Sequence, residues 1–149
     1  MAIRRVGVAM AVFAAGVVIF TGCGSQEEQM TPDQARDALT SVTHDSADLL
    51  KIDGWTESGV PSAGSCADDL NWEYIYGAPA PDGAPLDDAQ TVADYWKSLG
   101  MTVRVNTEHD PVVFATGGSL RGISFSTGPG DYHFSGTSLC VAGDPDDYR

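Results

Sequence analysis

The chain has 149 residues, and Asp and Glu outnumber Lys and Arg by 21 to 8, for a formal net charge of −13 at pH 7. That length suits one domain with a real core and is short for two. So acidic a chain lacks the Lys and Arg that neutralise phosphates, which excludes nucleic acid as an expected partner, and anionic lipid head groups would repel it.

Arg4 and Arg5 open the chain, and residues 6–20 form an uncharged run of 15. A bilayer-spanning helix needs about 20 apolar residues, whereas a shorter run behind a basic start, followed by small residues, is the pattern of a secretory leader. The run ends in Phe20-Thr21-Gly22-Cys23. This stretch resembles the lipobox of bacterial lipoproteins, with Phe20 where Leu is usual. The resemblance implies that the Cys23 thiol receives a diacylglyceryl group and that the leader is cut just before it. The alternative is an ordinary secretory leader with an incidental cysteine. In layout the whole chain is similar to the small lipoproteins of high-GC Gram-positive bacteria, a likeness that carries over no catalytic residue.

The expected organisation is a leader over residues 1–22, a lipidated Cys23 and short polar tether over 23–30, one domain over 31–143 and an acidic tail over 144–149. Once Arg4 and Arg5 leave with the leader, six basic residues face 21 acidic ones, a formal charge of −15. The membrane link would then be the acyl chains alone. Cys66 and Cys140 remain as an even pair in an exported protein, where a disulfide is expected over two free thiols.

Thr31-Pro32-Asp33-Gln34 predicts a helix start: Thr31 caps, Pro32 suits the first turn, and Gln34 completes a capping box. Ala35, Ala38, Leu39, Val42, Ser46, Leu49 and Leu50 share a broad face, and the helix should run to about Ile52, with Gly54 ending it. Residues 53–70 read as a loop or irregular strand. In residues 71–77, Trp72, Tyr74 and Tyr76 alternate with Glu73 and Ile75, a strand with one aromatic face. A second helix is expected from a cap at Asp87 or Asp88 to Gly100, with Ala89, Val92, Ala93, Trp96 and Leu99 as its stripe. Strands over 101–106, 112–116, 120–127 and 132–141 follow, joined by short turns that imply an antiparallel meander.

The order helix, strand, helix, four strands gives an α+β fold: a curved antiparallel sheet of about five strands with two helices packed on one face. The expected core is Leu39, Val42, Leu49, Trp96, Leu99, Val103, Val105, Phe114, Ile123, Phe125 and Phe134.

Few residues suggest chemistry. His44, Asp45 and Asp48 invite a metal or acid–base role, but at about 100° per residue His44 falls opposite Ala35, on a solvated face. His109 precedes Asp110-Pro111 in a turn, and His133 points away from Tyr132 and Phe134. No zinc-ligand spacing, nucleophile elbow or phosphate loop is present, so no metal and no cofactor is expected. The Asp groups near 82–88 and 144–147 lack the spaced ligands of a calcium loop and suit helix capping and solubility. Trp55, Trp72, Tyr74 and Tyr76 form either a binding surface or part of the core under the helices.

Three functions compete. The first is a membrane-anchored extracytoplasmic lipoprotein acting as a binding or adaptor domain for an envelope protein or small ligand. The second is a small secreted hydrolase or metal-dependent enzyme using His133 or His109, which requires one histidine within reach of a serine or carboxylate. The third is a structural spacer.

Overall fold

The computed structural model describes residues 29–149; the lipobox and Cys23 lie outside the described residues. Helix α1 spans Pro32–Leu50. The Thr31 hydroxyl accepts from the Gln34 amide at 3.2 Å while the Gln34 side chain accepts from the Thr31 amide at 2.8 Å, so the capping box forms. The helix stops at Leu50, earlier than expected, because Lys51 turns left-handed at φ 51° and caps it.

The stretch 53–70 is more regular than a loop. It contains β1, Thr56–Glu57, and β2, Ser62–Cys66, which both pair antiparallel with β3, Asp69–Pro79. Helix α2, Pro85–Ser98, begins ahead of the expected Asp caps: Ala84 is its N-cap, Pro85 supplies a preset φ, and Asp87 and Asp88 complement the dipole from the first turn. Strands β4, Thr102–Asn106, β5, Val112–Gly117, β6, Leu120–Ser126, and β7, Asp131–Ser138, complete a meander. Gly117 and Gly118, both at positive φ, close the β5–β6 turn.

The fold is α+β, with an open seven-stranded antiparallel sheet in the order β1-β3-β7-β6-β5-β4 and β2 continuing the β1 edge. The two extra strands come from the 53–70 stretch. Helix α1 rests on β3 and β7, and α2 on β4 and β5, with the two helices touching each other. Among the described residues no helix is long and apolar enough to cross a membrane.

The core lies between the helices and one face of the sheet. Phe134 on β7 stacks on Phe125 of β6 at 4.6 Å and meets Trp96 of α2 edge-on at 6.2 Å. Trp96 is fully buried, and its indole N–H donates to Ser46 Oγ of α1 at 2.8 Å. Gly136 keeps α1 close: a Cβ there would come within 2.7 Å of Leu39 Cδ1. Of the expected core, Leu39, Trp96, Ile123, Phe125 and Phe134 are buried, and Val42, Val103 and Val105 pack against it in part.

Leu49, Leu99 and Phe114 are exposed instead. Leu49 lies past the stripe set by Ala35, Leu39, Thr43, Ser46 and Ala47. Leu99 follows the last turn of α2. Phe114 faces away because Val113 and Ala115 pair with Phe125 and Ile123 on the helix side.

Cys66 and Cys140 form a disulfide, with Cα atoms 6.1 Å apart across a separation of 74 residues. In the chain-entropy account a loop of this size contributes roughly 4 kcal/mol. The tail does not trail away: Pro145–Tyr148 is a 3₁₀ turn, and the Tyr148 ring stands edge-on to Trp72 at 5.2 Å.

Replacing Ser46 by Ala removes the partner of a buried indole N–H. Urea denaturation of Ser46→Ala should show a loss of about 1–3 kcal/mol, the cost of an unsatisfied buried donor; an unchanged midpoint would show that the bond does not couple the helices.

Candidate binding groove

Strand alternation sorts the side chains of the sheet into two sets. On the helix side, β3 presents Trp72, Tyr74, Tyr76 and Ala78, and β7 presents Tyr132, Phe134, Gly136 and Ser138. Of the four aromatics considered for a binding surface, Trp72 and Tyr74 are buried at 3% and 2% exposure, while Trp55 and Tyr76 are half-buried. Trp72 donates its indole N–H to the Pro32 carbonyl at 2.8 Å, beneath the Arg36 guanidinium. Trp55 stacks on Tyr76 at 5.4 Å and packs on Phe134 at 5.3 Å.

His44 is the main departure on this side. It is half-buried, not on a solvated face, and its ring packs against Tyr74 and Tyr76. The long tyrosines of β3 reach around the flank of α1, which a helical wheel cannot show. The Tyr74 hydroxyl donates to Glu57 Oε1 at 3.0 Å, so at 2.8 Å it accepts from His44 Nε2–H. Burial, then Glu57, pushes the Tyr74 phenol far above its usual range. Burial, then Asp48 and Glu57, raises Tyr76. The network ties α1, β1 and β3 together around a phenol held neutral.

The other histidines gain less. His133 Nδ1 is 3.9 Å from Asp131 Oδ2, beyond hydrogen-bond distance, and His109 is exposed in the β4–β5 turn. Among the described residues neither meets a serine hydroxyl or a carboxylate closely enough for proton transfer, and no cluster of three His, Cys, Asp or Glu could hold a metal.

The opposite face of the sheet carries the more distinctive site. The register aligns Ile75, Ser135, Ser124, Phe114 and Arg104 in one row across five strands. A neighbouring row runs from Glu73 through Thr137 to Gly122. The central strands β6 and β7 thus contribute small side chains, and the flanking strands contribute large ones. The result is a groove of about 450 Å³, floored by Gly122, Ser124, Ser135 and Thr137 and walled by Asn71 and Glu73 on one side and Phe114 on the other. Arg121, displaced by an irregularity in the β6–β7 register, stands at its rim.

Three features set this face apart from ordinary solvated sheet. Ile75 and Phe114 are 47% and 38% exposed. Arg104 lies over the Phe114 ring at 4.5 Å, and neither Arg104 nor Arg121 has a carboxylate within 4 Å among the described residues, whereas Arg36, Lys97 and Arg149 each do. Asn71 is only 4% exposed, and its Oδ1, pressed over Gly64, accepts no hydrogen bond. Buried polar atoms are nearly always paired, so this oxygen is an exception within the fold, closed off beneath the groove wall.

The alternation of β6 and β7 held the signal for this groove. "ISFS" and "YHFSGTS" pair aromatic or apolar positions with Ser and Thr, and not with the Lys and Glu usual on a solvated face. The contributions of Asn71, Glu73, Arg104 and Arg121 depend on register, which the sequence alone does not supply.

Compared with known families, curated proteins and solved structures, the chain matches no family model, no curated protein and no solved structure.

The buried tyrosines make a pH prediction. Tyr132 donates to Asp88 at 3.0 Å, and burial, then Asp88, raises its pKa from 10.0 to about 12. A raised folded-state pKa gives stability that is whole below pH 10 and is lost as pH climbs toward about 12. Thermal melting of the parent should therefore fall across that window, and Tyr132→Phe should flatten the fall; equal slopes in the two proteins would contradict it.

Proposed function

We propose that the chain is a membrane-anchored extracytoplasmic lipoprotein that acts as a binding domain in the cell envelope, and that it binds through the open face of its sheet. The groove carries this reading: one face is filled by both helices, while the other keeps exposed apolar side chains and two arginines with no carboxylate within 4 Å among the described residues. The Phe20-Thr21-Gly22-Cys23 motif supports the anchor, and the Cys66–Cys140 disulfide is in keeping with an oxidising compartment. Trp72 and Tyr74 are buried and support the fold, while Trp55 and Tyr76 are half-buried beside them.

With six basic residues against 21 acidic ones after leader removal, the domain would stand away from anionic head groups. A tether over residues 24–30 spans at most about 23 Å at ~3.3 Å per residue, so any partner lies close to the membrane surface.

Two tests separate anchor from binding. Cys23→Ala should leave the protein unprocessed or move it from the membrane fraction to the soluble one; a variant still processed and membrane-held would overturn the lipid anchor. A photo-crosslinking amino acid at Ser124, in the groove floor, should capture a reproducible envelope component in intact cells, while one at Gln90, on exposed α2, should not. Equal capture at both, or none at Ser124, would overturn the open face as the binding surface.

A further inference from the structure

The chemistry of the groove narrows its ligand. The floor is small and hydroxylated: Ser124, Ser135 and Thr137 each donate and accept. One wall carries the Glu73 carboxylate, an acceptor, beside the largely buried Asn71. The rim carries the Arg121 guanidinium, a donor fork with no carboxylate within 4 Å among the described residues. The facing wall is the Phe114 ring. A ligand must therefore offer donors toward β3, acceptors toward Arg121 and an apolar patch toward Phe114, over a floor indifferent to direction.

Several ligand classes fit poorly. An anion meets Glu73 inside the groove and a strongly acidic molecule around it. A hydrocarbon chain would strip water from the floor hydroxyls without replacing their hydrogen bonds. An extended peptide gains its main-chain bonds at a sheet edge, not across a paired face. A cation lacks a set of ligands: among the described residues no cluster of three His, Cys, Asp or Glu exists.

We infer that the groove binds a neutral, hydroxyl-rich ligand, namely an oligosaccharide segment of about disaccharide size. Hydroxyls donate and accept in turn, so one ring satisfies Glu73 on one edge and Arg121 on the other. Its axial C–H groups supply the apolar contact for Phe114. The groove volume of about 450 Å³ lies within the range of small-ligand sites. The inference rests on the open-face reading and adds the ligand class to it.

The test is an NMR titration of the lipid-bearing protein in detergent with maltose, trehalose and diacetylchitobiose as neutral probes and digalacturonate as an anionic one. At least one neutral disaccharide should shift the signals of Gly122, Ser124 and the Asn71 side chain. Phe114→Ala, a change at an exposed side chain, and Arg121→Ala should each weaken that binding about tenfold while the rest of the spectrum stays in place. Ser124→Trp should abolish it. Shifts by digalacturonate alone, shifts away from the groove, or no shift with any probe would overturn the inference. Capture of an envelope protein at Ser124 without any sugar response would sink the sugar and leave the face. Failure of both the crosslink and the titration would sink the face as well.

Discussion

The indole N–H of Trp96 meets Ser46 Oγ in a space closed to solvent, and much of the architecture follows from that contact. It fastens α2 to α1 above the Phe134 ring on a central strand. Both helices are thereby committed to one face of the sheet. Gly136 lets α1 sit close, and the stacked pair Phe125 and Phe134 fills the space beneath. The large apolar side chains of β6 and β7 are drawn to that side, which leaves Ser124, Ser135 and Thr137 on the other.

The same partition explains why polar groups behave differently on the two faces. Under the helices each buried hydroxyl or ring nitrogen has found a partner: Trp72 on Pro32, Tyr74 between His44 and Glu57, Tyr132 on Asp88. Trp55 Nε1 is the exception there. Across the sheet the opposite holds, for Arg104 and Arg121 meet no carboxylate within 4 Å among the described residues and are left with groups to offer. A stable core and an incompletely satisfied groove share the same strands, separated by the period of two along each strand.

The elements whose pattern is local were legible from the sequence. The capping box at Thr31, the aromatic alternation around Trp72 and the short turns of the meander each depend on residues a few positions apart. The Cys66–Cys140 pair followed from the cysteine count and the expectation of export. What escaped depends on distant pairing. Phe114 reads as core from the sequence, yet Val113 and Ala115 hold the inward positions opposite Phe125 and Ile123. β1 and β2 carry too few apolar residues to announce themselves, and they become strands because β3 is long enough to template both. His44 sat correctly opposite Ala35 on the wheel, but tyrosines from another element filled the space beside it.

If the open face is occupied where the protein works, hydroxyl-radical footprinting of intact cells against the purified protein will register the cover. Phe114 and Ile75 should be oxidised more slowly in the cell than in isolation, while Leu86 and Val60, more exposed and away from the groove, should react alike in both. Equal oxidation of Phe114 and Ile75 in the two settings would show the face as open in the cell as in solution and overturn its proposed occupancy.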